Sequence, residues 1–309
     1  MKKISIIITG LFLLMTTSQC LAQTKGQNLQ IFSVDNSSGT INAKSVEKAF
    51  NASGLIVDVN NDMNSIFSKR YGSVHHKNYN LAIFRNEKLI SKLMDKYPSI
   101  GLITPLSMSI YENSKTKTIS ISTLSLDGMA RITKIPVSNK DLIKYAKSVD
   151  KALHNALPNG KYLTVKHNIK ASSNSLTTNF TTEFELEDGA TYKEVKKEFT
   201  DEFEGELAPV GFLVPKSYQI EHKDYDFYDT YSIIRFNAIY PVSKNHPDAG
   251  AYAPFSLLIY KKKGDNSVHI AYPSIDNWIS DLDISDKKTI EVVNQTHNMI
   301  KDILTELTE

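Results

Sequence analysis

The chain has 309 residues, with 36 Lys and Arg against 34 Asp and Glu, a net charge of +2, and 41% hydrophobic and 23% charged content. Such proportions are ordinary for a globular protein and exclude a collagen, a low-complexity disordered chain and a strongly basic nucleic-acid binder. The length suits two domains, each able to bury a core of its own.

Residues 1–22 have the pattern of a secretory signal peptide: Lys2 and Lys3 at the start, an apolar run from Ile4 to Met15, and small Ala22 before Gln23. That run is too short to span a bilayer. The alternative is a lipoprotein anchored at Cys20, although Gln19 and Thr17 stand where such signals carry a small and a hydrophobic residue. Cleavage after Ala22 would leave 287 residues, equal numbers of acidic and basic groups, and no cysteine. Disulfides, thiolate catalysis and Cys-ligated metal sites would then be excluded. The expected location is periplasmic or secreted, with no transmembrane segment after signal removal.

Beyond the leader, two halves read alike. The segment Gln30 to Phe50 predicts a strand, a turn and a helix ending on Phe, and Glu183 to Phe199 predicts the same series. Gly54 and Gly72 punctuate two early helical stretches. Tyr79 to Asn86 and Tyr231 to Asn237 predict apolar strands ending on Asn, while PLSMSIY at Pro105 to Tyr111 and PFSLLIY at Pro254 to Tyr260 each precede a polar turn and a further strand. Glu87 to Lys96 predicts a helix whose counterpart, holding Pro241 and Pro247, should be shorter or broken. Leu142, Ala146, Val149, Leu153 and Leu157 have helical spacing, with Ser138 and Asp141 as a capping box and Pro158 and Gly160 as the stop. Ile290, Val293, His297, Ile300 and Leu304 give the matching last helix, capped around Asp283 to Asp286. The expected domains are 29–157 and 182–309, joined by a linker over 158–181 that is rich in Asn, Ser and Thr.

Charge divides between the halves. Residues 29–157 hold 17 basic and 10 acidic groups, net +7, whereas 182–309 hold 13 basic and 24 acidic, net −11. Opposite signs favour packing of one half on the other. The series of an apolar strand running into Asn86 or Asn237, then an apolar turn into Pro105 or Pro254 and a strand ending near Tyr, resembles the bacterial and archaeal domain-of-unknown-function 302 family, present twice. The family usually has Cys-Asn-Pro at the first place and Leu-Pro-Cys at the second. Here these read Arg85-Asn86-Glu87 and Phe236-Asn237-Ala238, then Thr104-Pro105-Leu106 and Ala253-Pro254-Phe255. The resemblance implies an α+β fold, two homologous domains each with an antiparallel sheet packed by helices, and no established reaction.

Reaction signatures are missing from the sequence: it has no Gly-rich phosphate loop, no nucleophile elbow and no His-Glu-x-x-His. His75 and His76 point to opposite faces of an extended segment, which makes joint metal ligation awkward. Asp224, Asp226 and Asp229, like Asp281, Asp283 and Asp286, lack the glycine and terminal glutamate of a calcium loop. No metal or cofactor is therefore expected. Aromatics around Tyr225, Phe227, Tyr228 and Tyr231, and the pair Tyr272 and Trp278, suit a core, or a surface for an apolar or sugar ligand or a partner protein. His154 could pair with Asp150 one turn away. Arg85, Asn86, Asn237 and Tyr231 are the candidate binding residues, with Arg85 offering an anion contact and the Asn residues helix caps. The expected protein is a non-enzymatic cell-envelope pseudo-dimer that binds a small ligand or envelope protein. The alternative is an enzyme or metal-handling protein with a site at the interface of the halves, built from His75, His76, Arg85 and the loop near Asp224.

Overall fold

The computed structural model describes residues 24–113, 115–165, 176–186 and 189–309. The leader expected at 1–22, with Cys20, lies outside the described residues. The first half runs β1 (Leu29–Asp35), α1 (Ala43–Ala52), β2 (Ile56–Asp62), α2 (Met63–Tyr71), β3 (Asn78–Arg85), α3 (Glu87–Met94), a first 3-10 segment (Pro98–Ile103), β4 (Leu106–Asn113), β5 (Thr118–Leu124), α4 (Leu126–Thr133), α5 (Lys140–Ala156) and β6 (Lys161–Tyr162). The second runs β7 (Thr177–Glu183), α6 (Tyr192–Leu207), β8 (Phe212–Gln219), β9 (Tyr225–Arg235), α7 (Phe236–Asn245), a second 3-10 segment (Pro247–Ala251), β10 (Phe255–Lys262), β11 (Ser267–Pro273), α8 (Asn277–Asp281) and α9 (Lys287–Thr308).

Both sheets are antiparallel, which makes the fold α+β as expected. The first is ordered β2-β3-β4-β5-β1-β6 and the second, taken from its β8 edge, β8-β9-β10-β11-β7. Counted from the β2 and β8 edges, the first five places thus have one order, and β6 is an added edge strand. An offset of 149 residues separates the starts of α1 and α6, of the two 3-10 segments, of β4 and β10, and of β5 and β11. Helix starts agree in chemistry as well. Asn42 and Ser45 form a capping box before α1, and Thr191 and Glu194 form one before α6, so each helix has backbone donors of its first turn satisfied locally. The peptide bonds Thr104-Pro105 and Ala253-Pro254 are both cis.

Some sequence expectations are corrected. Strand pairing sets Phe84 opposite Leu106 and Ile233 opposite Phe255, so the position level with Asn86 is Arg235, and Asn237 lies inside α7. The strand in the second half is Thr177–Glu183, earlier than the segment beginning at Glu183, and it overlaps the end of the expected 158–181 linker, which also holds β6. Helix α7 is neither shorter nor broken. It has 10 residues with Pro241 inside, against 8 in α3, because one missing amide donor is outweighed by the burial of Ile239 and Val242 on its inner side. Asn139, rather than Ser138, caps α5, its Oδ1 accepting from the backbone N–H of Asp141 at 2.9 Å and of Leu142 at 3.1 Å.

Helix α1 packs on one face of the first sheet and α6 on one face of the second, while the 3-10 segment of the other half crosses the opposite face of each. Phe50 of α1 meets Phe84 of β3 edge-on at 5.1 Å, and Phe203 of α6 meets Tyr231 of β9 at 5.9 Å. Fully burying an apolar side chain of this size contributes about 1.5–3 kcal/mol. The inner faces differ in kind. Ser107, Ser109, Ser120 and Ser122 lie on the inner face of the first sheet and are buried, because the second 3-10 segment lies across β4 and β5. The first 3-10 segment lies across β9 and β10 in return. The exchange is reciprocal at atomic detail. Ser107 Oγ donates to the carbonyl of Pro254, and Ser256 Oγ donates to that of Pro105 at 2.8 Å. A Cβ on Gly101 would strike Tyr228 and Leu258, and one on Gly250 would strike Ser109 and Leu81, so glycine at both places permits the close approach.

Candidate functional site

The halves meet along two seams that flank this central contact. In the first half, β2 continues into α2, which Asp62 caps and Gly72, at φ 72°, terminates. This helix and the loop after it lie on α7. Tyr71 donates to Asn237 Oδ1 at 2.7 Å and stacks on Tyr240 at 4.0 Å, His75 lies 4.4 Å from the same ring, and His76 Nε2 contacts the Ser243 carbonyl oxygen at 2.6 Å. Burial and neighbouring His76 hold the His75 imidazole below its ordinary value. This seam is filled.

The corresponding segment of the second half is short. β8 ends at Gln219 and β9 begins at Tyr225, so no helix follows β8. What covers α3 is the turn between those strands, where Tyr225 donates to the Met94 carbonyl at 3.1 Å and His222 Nε2 lies 3.1 Å from Asp95 Oδ1. A cavity of about 460 Å³ remains between β2, α3 and β8. Its volume falls within the range of small-molecule pockets.

Arg85 defines the polar end of this cavity. Its Nε donates to Asp58 Oδ2 at 2.9 Å and its Nη2 to Asp58 Oδ1 at 3.4 Å, while Nη1 is bonded to Glu87. Tyr218 donates its hydroxyl to Asp58 Oδ2 at 2.9 Å, and the guanidinium carbon lies 5.1 Å from the centre of its ring. Burial works against the arginine charge, but Glu87 and Asp58 outweigh it and raise the pKa. Burial and the Asp58 carboxylate also push the Tyr218 phenol well above its ordinary value, so it remains a donor. Ile90, Met94 and Ile220 supply an apolar wall, and Lys216 lies on the β8 side with Nζ 5.9 Å from the Tyr218 ring. Electrostatically, the site is the fixed Arg85 cation with the Asp58 carboxylate behind it, Lys216 on the facing wall, and the Glu87 and Glu221 carboxylates at the rim.

The sequence candidates do not converge. Arg85 lines the cavity, whereas Asn86 caps α3, accepting from the backbone N–H of Leu89 at 3.1 Å. Asn237 belongs to the filled seam, and Tyr231 is buried in the core against Phe203. His75 and His76 share the filled seam and are therefore apart from Arg85. The two aspartate groups are also divided. Asp226 pairs with Lys261 at 2.8 Å, Asp229 with Lys196 at 2.6 Å, Asp281 accepts from Asn28 at 2.7 Å, and Asp286 caps α9. Asp224 lies near His222 and Asp95, close enough to share an ion. The backbone N–H of Asp224 donates to His222 Nδ1 at 3.3 Å, which leaves the ring proton on Nε2 directed to Asp95. That arrangement is a hydrogen-bonded clasp across the rim. Asp58, Lys216 and Tyr218 were missed by sequence reasoning, although the short interval between two strands in the second half carried a signal of the opening.

The fold and seam define an α+β protein in which two like-ordered sheets enclose a small-molecule-sized cavity. Residues 36–159, within the first half of the chain, match the family model described as "Domain of unknown function DUF302". A solved structure, that of an uncharacterized conserved DUF302 protein from Bacillus stearothermophilus, is similar at 12% identity and a TM-score of 0.34, covering 43% of this chain and 98% of that one. No curated protein matches the chain. Among the described residues, no helix is long and apolar enough to cross a membrane.

Proposed function

We propose that this chain is an exported envelope protein, without catalytic activity of its own, in which two domains related by duplication form an internal pseudo-dimer that binds a small ligand in the open seam. The observation that carries the binding reading is the cavity walled by α3 and β8, one from each half, with Arg85 held at its end by Asp58 and Tyr218. The duplication reading is supported by the 149-residue offset of the helix, 3-10 and strand pairs named above, the shared strand order and the paired glycines and serines of the central contact. Export is supported by Lys2, Lys3 and the apolar run to Met15 ahead of Ala22.

A thermal-shift screen of small metabolites on the purified protein tests the binding reading, with a Ser91→Phe variant as the control. Ser91 lines the cavity from an exposed position on α3, so phenylalanine there fills the space without entering the core. Stabilising compounds should lose their effect on this variant while its own melting temperature stays close to that of the parent. Equal shifts on both proteins would place binding elsewhere and reject the site. Intact mass after expression with the native leader tests export. A chain beginning at Gln23 is expected, and a diacylglycerol-modified Cys20 would replace the soluble form with an anchored one.

A further inference from the structure

Accepting the open seam as a binding site, we propose that its ligand is a small amphipathic monocarboxylate whose carboxylate takes the place of Glu87 on Arg85. The guanidinium has two unlike partners. Asp58 holds Nε and Nη2, has a side chain only 12% exposed, and is itself held by the Tyr218 hydroxyl. That pair fixes the position of the arginine whether or not anything is bound. Nη1 is bonded to Glu87, whose side chain is 62% exposed. An exposed ion pair of that kind contributes little, so one carboxylate can replace another at Nη1 at small cost. Glu87 therefore shows where a ligand carboxylate binds and acts as a tethered competitor for it.

The rest of the cavity suits the remainder of such a molecule. Lys216 supplies a second positive charge on the opposite wall, from the other half of the chain. Half-buried Ile220 presents an apolar surface where a short hydrocarbon tail would shed water, with Ile90 and Met94 buried behind the wall. A ligand carboxylate would accept from Nη1 as the Glu87 group does, in a charge-assisted hydrogen bond. A phosphate dianion is a poorer match, because Glu87 and Glu221 both remain at the rim and repel the additional charge. A cation finds Asp58 already engaged by three hydrogen bonds, two of them from the Arg85 guanidinium.

Titration of the purified protein with hexanoate, hexylammonium and hexanol, followed by calorimetry and by amide chemical shifts, separates the readings. Hexanoate should bind with shifts at Arg85, Ser91 and Tyr218, and hexanol at least tenfold more weakly. Glu87→Gln, which removes the competitor from an exposed position, should tighten hexanoate about three- to tenfold and leave hexanol unchanged. Lys216→Gln should weaken hexanoate about threefold. Unchanged or weaker hexanoate binding by Glu87→Gln would overturn the exchange. Preferential binding of hexylammonium at the same residues would overturn the carboxylate while keeping the cavity as the site. If none of the three probes moves the cavity residues, the binding reading itself fails.

Discussion

Replacing Gly250 by alanine tests the central contact directly. A Cβ there would lie 2.3 Å from Ser109 Cβ, 2.7 Å from Leu81 Cδ2 and 2.9 Å from Ser109 Cα, whereas carbon atoms in contact prefer about 3.5–4.0 Å. Ser109 cannot withdraw, since β4 is hydrogen-bonded on both sides, to Leu81 of β3 and Ser122 of β5. The second 3-10 segment must therefore lift by about 1 Å, which also strains the Ser122 bond to the Asp248 carbonyl, 2.8 Å in the structure. Overpacking costs about 1–3 kcal/mol and a strained hydrogen bond about 1 kcal/mol, so Gly250→Ala should lose about 2–4 kcal/mol. Gly101→Ala should lose less, about 1–3 kcal/mol, because its closest neighbours are side-chain ends, Tyr228 Oη at 2.5 Å and Leu258 Cδ1 at 2.6 Å, which can rotate. Gly205 is the control. It lies inside α6, is exposed and has nothing within 4 Å, so alanine there should gain about 0.5–1 kcal/mol. Urea unfolding with a constant m-value reads all three as shifts of the midpoint. A Gly250→Ala midpoint equal to that of the parent, or a Gly101→Ala loss exceeding it, would refute the reciprocal packing.

The buried pair of Lys196 and Asp229, with side chains 8% and 3% exposed, should respond asymmetrically to substitution. Lys196→Met strands a buried carboxylate and should cost about 3–5 kcal/mol at pH 7, whereas adding Asp229→Leu should restore most of it, as a double-mutant cycle in urea can show. Burial already holds the Asp229 pKa above its ordinary value, and loss of the lysine raises it further. A carboxyl with a raised folded pKa gives its stability below the unfolded value and loses it as pH rises, so the Lys196→Met deficit should shrink from pH 8 towards pH 4; a deficit independent of pH would contradict this. Asp286 has the opposite sign. The Thr289 backbone N–H, 2.9 Å from its carboxylate at the start of α9, lowers its pKa from 3.8, so its contribution is present above that value and fades as pH falls further. Asp286→Ala should cost about 1 kcal/mol near neutral pH and little at pH 2, measured by helix melting.

Much of the fold was legible because local chemistry and periodicity agree at each level. The helical spacing of α5, the apolar face of α9 and the Pro-led strands β4 and β10 all announce themselves within a few residues. The alternation of serine with apolar residues in β4 and β5 has a less direct meaning. That pattern ordinarily marks one solvated face, yet Ser109 and Ser122 are fully buried. Their small side chains admit the backbone of a distant segment, and only the tertiary arrangement reveals what covers them. The site was harder still. Arg85 was visible as a cation at a strand end, but its partner Asp58 lies 27 residues earlier and Tyr218 lies 160 residues after that aspartate. Contacts across such separations leave no spacing to read. Nor did Asn237 resemble anything but a second Asn86 until strand register moved it into the helix. The opposite net charges of the halves were visible too, but the central contact is built from glycine, serine and apolar groups, and bonds such as Tyr218 to Asp58, Tyr71 to Asn237 and Asn28 to Asp281 join the halves around it.

A pair of identical chains arranged like these two halves would carry two equivalent grooves, and occupancy of one could influence the other. Here α2 has no counterpart after β8, so Tyr71 and His75 plug one groove while the other stays open. On the proposed binding reading, one molecule per chain is expected, and saturation should follow a simple hyperbola with a Hill coefficient of about 1. Joining two halves in one chain lets each groove change separately, which a symmetric dimer of identical chains cannot do.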